Sequence, residues 1–242
     1  MPPSCCDVDY DRMFDARTAH RELTAYRRSG PTGSTRRLID AIKATGVERA
    51  SVLDIGGGVG VIGFELLAAG ANRLTDVDAA RAYVAVARDE AVRLGLEDRT
   101  TFRHGDFVAL ADEIGSADVV TLDRVVCCYG DWTALVDRSI AHARRIYGLV
   151  YPNDRWWTRF GIWVGNLTLR FSRQSYRGYV HPERAIDARI RDAGFERRLH
   201  HRGWLWQTAV YQRTPASSIA TARAEGHDAH DQSGSTHEEE HA

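Results

Sequence analysis

Hydrophobic positions along the chain switch repeatedly between short unbroken runs and steps of three or four residues. Three- and four-residue steps predict helices, and short apolar runs with β-branched residues predict buried parallel strands. Phe14, Ala19, Leu23 and Tyr26 predict a helix over 14–29, broken by Gly30-Pro31. Thr32 to Thr35 supply N-caps for a second helix carrying Leu38, Ile39 and Ile42. Strands are expected over 50–55, 72–78, 100–107, 118–123 and 146–151, with helices over 61–69 and 79–94 and another after Asp131. A helix opens at His181-Pro182-Glu183 and stops at Gly194. Residues 195–202 and 204–213 then pair around Gly203 as a hairpin. Strand alternating with helix is the signature of a doubly wound α/β sheet, and the closing hairpin gives it one antiparallel strand.

Two stretches depart from this rhythm. Over 153–180, Trp156, Phe160, Trp163, Leu167 and Phe171 recur at helical steps among Arg155, Arg159, Arg170, Arg173 and Arg177. The stripe fits three readings: a helix packed on the sheet, a lid over a bulky apolar acceptor, or an interfacial helix touching a membrane surface. From 214 onward the chain is rich in Ser, Thr, Ala, Glu and His without apolar periodicity, which predicts a disordered tail. His227, His230, His237 and His241 fall there and read as solvated rather than metal-binding, and no metal site is expected. The organisation is then a flexible arm over 1–13, a helical cap over 14–49, a main domain over 50–213 and the tail over 214–242.

With 242 residues and a formal net charge of −1, the chain can bury one sizeable core and offers no bulk electrostatic attraction to nucleic acid. Its four cysteines form two adjacent pairs, Cys5-Cys6 and Cys127-Cys128, which suit neither a disulfide framework nor a zinc site. Without a signal peptide or an apolar run of membrane-spanning length, a cytoplasmic protein is expected, with no stable membrane insertion and at most weak surface contact.

The chemistry centres on the first strand and the glycines after it. Gly58-x-Gly60-x-x-Gly63 satisfies a dinucleotide fingerprint, while Asp54-x-Gly56-x-Gly58-x-Gly60 satisfies a second pattern with an acid on the strand. A strand-end carboxylate suits a ligand bearing an ammonium and repels a pyrophosphate. Asp78, 18 residues past Gly60, ends the second strand, where an acid can accept two ribose hydroxyls in either reading. Asp76 shares its face and is the weaker candidate, lying further from the strand's carboxyl end.

These residues, with Gly105-Asp106-Phe107 and the closing hairpin, resemble the class I S-adenosylmethionine (SAM)-dependent methyltransferases over 50–213. The resemblance implies a Rossmann-like, seven-stranded sheet with SAM bound across strands one to four. Asp54, Gly56, Gly57, Gly58 and Gly60 would hold the methionine portion, with Asp123 near it. Asp78 would bind the ribose, and Asp106 and Phe107 the adenine. Asp106 also suits a helix N-cap, and the two roles are compatible. The Asn-Pro-Pro motif of amino-nitrogen methyltransferases is absent after the fourth strand, where Asp123-Arg124-Val125-Val126 stands.

The implied activity is methyl transfer to a small-molecule acceptor at oxygen, hydroxyl or carboxylate. The acceptor is expected to be bulky and anionic, by a looser likeness to the magnesium-protoporphyrin type. Tyr129 and His181 are the candidate catalytic residues, each with a structural reading beside it. Cys127 and Cys128 read as small buried hydrophobes. An NAD-dependent oxidoreductase and a SAM-binding protein without catalysis are the alternatives.

Overall fold

A computed structural model of the chain describes residues 10–172 and 174–214. The first nine residues, Arg173 and most of the expected tail, including its histidines, lie outside the described residues.

Seven strands form one sheet: β1 (Ser51–Ile55), β2 (Arg73–Asp78), β3 (Thr100–His104), β4 (Ala117–Asp123), β5 (Ala143–Pro152), β6 (Phe195–Arg202) and β7 (Trp206–Arg213). Their spatial order is β3-β2-β1-β4-β5-β7-β6. The first five pair in parallel, and β7 enters antiparallel between β5 and β6. Strand order reverses between β1 and β4, and a crevice therefore opens there at the carboxyl ends of the strands.

Both sheet faces are covered, which is why the central strands read as continuous apolar runs. On one face, α3 (Gly33–Lys43) and α4 (Val61–Ala68) bury Leu38, Ile42, Ile62 and Leu66 against Val52 and Val119. On the other, α7 (Trp132–His142) and α9 (Glu183–Asp192) bury Leu135, Ile140, Ile186 and Ile190 with Leu53 and Leu122. The expected cap thus divides: α3 joins the sheet's helical layer, whereas α2 (Ala16–Ser29) sets Ala19 and Leu23 against Tyr83 and Val86 of α5 (Arg81–Arg93). Glu90 of α5, fully buried, clamps this contact by pairing with Arg27 and Arg93.

Three expectations change. Residues 10–13, assigned to the flexible arm, form a helical turn, α1 (Tyr10–Met13), because Tyr10 and Phe14 join an aromatic cluster with Tyr83 and Tyr176. Strand β5 begins at Ala143, not Ile146, since Ala143 pairs in register with Ala117. In the 153–180 stretch, α8 (Trp156–Phe171) does not pack through its aromatic stripe. Thr158 and Asn166 turn inward instead, bonding to Asn153 and to both backbone groups of Gly178.

Candidate cofactor site

Asp54, Asp76 and Thr121 lie side by side on β1, β2 and β4, making a polar row across three buried strands. The Thr121 hydroxyl donates to Asp54 Oδ1 at 2.7 Å. Asp54 Oδ2 and both carboxyl oxygens of Asp76 are buried without a hydrogen-bond partner. Burial pushes the Asp54 carboxyl up to about 7, with the charges of Asp123 and Asp78 adding to the shift and the Thr121 hydroxyl opposing it. Asp76 is raised well above the usual range by burial, then by Asp54 and Asp78. Such a site favours an incoming positive charge, which would ionise Asp54 and offset the cost of its burial.

The glycine turn sits directly above this row. At Gly57 a Cβ would lie 2.1 Å from Asp76 Oδ2 and 3.1 Å from Asp54 Oδ2, so only glycine lets the backbone approach. Gly56, Gly57 and Gly58 line a cavity of about 650 Å³ together with Asp54, Asp78 and Asp123. Gly60, expected among the ligand contacts, is not part of the lining. Its positive φ of 85° turns the chain into α4, and a Cβ there would strike the Phe64 ring.

Asp78 accepts from the Gly58 amide through Oδ2 (3.0 Å) and from the Ala80 amide through Oδ1 (2.8 Å). Each oxygen keeps a second lone pair for a hydroxyl donor. Burial raises this carboxyl, while the two amides hold it back. Asp76, by contrast, lies beneath the turn and outside the cavity lining. Asp106 caps α6 (Phe107–Leu110) by accepting from the Val108 amide and also accepts the Tyr129 hydroxyl at 2.9 Å. Phe107 lines the same end of the cavity, its ring edge-on to His142.

Asp123 lies in a cluster that the sequence reading did not foresee. The Thr35 hydroxyl donates to Asp123 Oδ2 (2.6 Å) and accepts from the Arg124 guanidinium (2.6 Å), which also pairs with Asp123 Oδ1 (3.1 Å). Arg124 has a positive φ of 62°, a strained backbone for an arginine, and its side chain lies over the Trp206 ring. Nothing in the local sequence signals that strain. Thr35 was read only as a potential cap, yet the packing of α3 on β5 and β7 brings it to the cavity.

The two candidate catalytic residues separate. Tyr129 lines the cavity, where its hydroxyl orients Asp106. His181 is buried outside the lining, with Nε2 bonded to the Tyr129 carbonyl at 3.0 Å and its ring between Trp132 and Tyr179. Burial lowers its pKa, the Tyr129 carbonyl opposing the shift. Cys127 is buried, and Cys128 Sγ lies 3.0 Å from the Tyr176 hydroxyl at the cavity's edge.

Residues 52–146, which carry the row, the turn and all four acids, match the family described as methyltransferase domain. The chain has the fold of the class I methyltransferases. Its fold is similar to that of magnesium protoporphyrin IX methyltransferase from Synechocystis PCC 6803 with bound S-adenosylhomocysteine. That likeness has a TM-score of 0.62 and 21% identity, covering 85% of this chain and all of that one. An O-methyltransferase family protein from Burkholderia thailandensis gives a TM-score of 0.65 at 19% identity over 87% of this chain, which spans 64% of that protein's length. The [4+2]-cyclase SpnF gives 0.55 at 15% identity over 73% of this chain and 80% of that one. At these identities the likeness is one of fold, and a cyclase among such neighbours means that the reaction must be argued from the site. No curated protein matches the sequence.

Proposed function

We propose that the protein transfers the methyl group of S-adenosylmethionine to a carboxylate oxygen of a small, apolar-bodied acceptor. The observation that carries the cofactor half is the partnerless Asp54 oxygen beneath a glycine turn that a Cβ would fill. It suits the ammonium of a methionine moiety, whereas the pyrophosphate of NAD would meet a carboxylate. Asp78 would take the ribose hydroxyls, and Asp106, aligned by Tyr129, would accept from the adenine amine. Phe107 would pack on the ring. When bound, SAM supplies an already activated methyl group on its sulfonium.

The protein's share of the work is then orientation and exclusion of water. Tyr10 and Phe14 line the cavity and supply an aromatic wall that can exclude it. A hydroxyl acceptor needs a base, and a carboxylate does not, being ionised already. Among the described residues that line the cavity there is no histidine, and Arg124 and Arg28 are its cations. Arg124 is already paired with Asp123, so the reading of an acceptor that arrives as an anion rests on Arg28.

The test is methyl-labelled SAM with a panel of aromatic carboxylates, phenols and amines. Label released as methanol by mild alkali identifies a methyl ester, as expected. Alkali-stable label would move the reaction to a hydroxyl or nitrogen.

A further inference from the structure

The aromatic stripe of α8 is left outside the core. Trp156 is 73% exposed, Phe160 59%, Trp163 60% and Phe171 79%, with Val164 and Leu167 also open between them. Trp204, 78% exposed, extends the surface: its carbonyl accepts from the side chain of Asn153, three residues before α8. Phe160 and Trp163 stack, and with Trp156, Leu167 and Phe171 they recur at three- and four-residue steps along α8, which sets them on one face of the helix. Isolated exposed apolar residues are ordinary, but a contiguous face of this composition marks an interaction surface.

Charge selects the partner. Residues 153–180 carry five arginines against a single acid in a chain whose net charge is −1. That acid, Asp154, is turned toward the Glu183 amide. Arg155 lies over the Trp157 ring, so positive charge borders the rings themselves. We infer that α8 and the Trp204 turn dock the protein on an anionic lipid bilayer surface, with the helix lying in the interfacial plane.

Tryptophan and arginine suit that plane, because the ring body enters the acyl boundary while indole N–H and guanidinium stay among the headgroups. No described helix is long and apolar enough to cross a membrane, which leaves surface docking as the way such a face meets lipid. A symmetric pair of these faces would set arginines against arginines, which disfavours a second copy as the occupant. Val164 and Leu167 within the face favour lipid over nucleic acid, whose stacking sites combine aromatics with a charged groove. The chain leaving α8 returns through Tyr176, which touches Phe14 and Cys128 at the cavity's edge.

The experiment is co-sedimentation of the full chain with phosphatidylcholine vesicles, with and without phosphatidylserine. Binding is expected only with phosphatidylserine, weakening as salt rises and accompanied by a blue shift of tryptophan emission. The double variant F160S/W163S should bind at least about tenfold more weakly, a loss fitting two apolar anchors. Its thermal unfolding should match the parent's, as both side chains are exposed. Equal binding by parent and variant, or none to anionic vesicles, would overturn the inference. So would a dimer that F160S/W163S dissolves, which would assign the face to a second copy. Single-stranded RNA displacing the vesicles would overturn it in favour of nucleic acid.

Discussion

Substituting Asp76→Asn isolates the most unusual electrostatic feature of this molecule. Asp76 and Asp54 stand opposite each other in adjacent strands, buried, with three of their four oxygens unpartnered. The Asp54 carboxyl rises from 3.8 to about 7. An acid with a raised pKa stabilises the fold most below its unfolded value and loses that contribution as pH rises through the folded one. For Asp54 the loss spans about pH 4 to 7, and three pKa units correspond to roughly 4 kcal/mol. Asp76, raised in the same direction, adds to it.

Asparagine stands in for the protonated acid and cannot ionise. At pH 5, where both buried carboxyls are neutral, D76N should match the parent within about 1 kcal/mol, an isosteric change of one polar group. As pH rises toward 8 and beyond, the ligand-free variant should become the more stable, because a side chain that cannot ionise is spared the cost of charging Asp76 beside a charged Asp54. Urea unfolding at pH 5, 6, 7 and 8 with a constant slope measures the difference. Parallel stability curves for parent and variant across this range would refute the reasoning.

Further outcomes follow from other contacts. Glu90, held down to about 2 first by Arg93 and then by Arg27, stabilises the fold above the unfolded value of 4.5 and loses that effect as pH falls toward 2. E90Q should therefore cost about 2–3 kcal/mol at pH 7, roughly half that at pH 3 and little below pH 2, read by denaturant titration. Y129F removes the hydroxyl donated to Asp106 and should weaken SAM binding by about fivefold, the value of one hydrogen bond, with stability within ~1 kcal/mol of the parent. G57A should weaken SAM binding by more than about tenfold, since its Cβ would lie 2.1 Å from Asp76 Oδ2, and calorimetry reads the loss. If the ammonium of SAM ionises Asp54, binding should release a proton near pH 7 and tighten between pH 6 and 8, which calorimetry in buffers of different ionisation heat detects.

The sheet was legible because its strands are short apolar runs closed by glycine or acid, and each such signal is local. Asp54, Asp78 and Asp123 lie in the last two positions of parallel strands and Asp106 two residues beyond β3, all at the carboxyl edge where a crevice must open. Gly60 falls outside the cavity lining because a motif gives spacing without direction, and its left-handed backbone turns the chain into α4. Thr35 and Arg124 were illegible because their meeting depends on α3 packing 88 and 89 residues away in sequence. The aromatic stripe left three readings open for another reason. Periodicity locates the apolar side of a helix, but whether protein covers that side depends on the neighbours, and here the inward face is Thr158 and Asn166.

The most direct test of the cofactor assignment is isothermal titration of the purified protein with SAM, S-adenosylhomocysteine and NAD in parallel, repeated on D78N. The geometry predicts micromolar binding of both adenosyl ligands and no heat with NAD. It also predicts a large loss of affinity in D78N, whose remaining oxygen cannot serve the Gly58 and Ala80 amides and two ribose hydroxyls together. Binding of NAD alone, or adenosyl binding indifferent to D78N, would contradict the account.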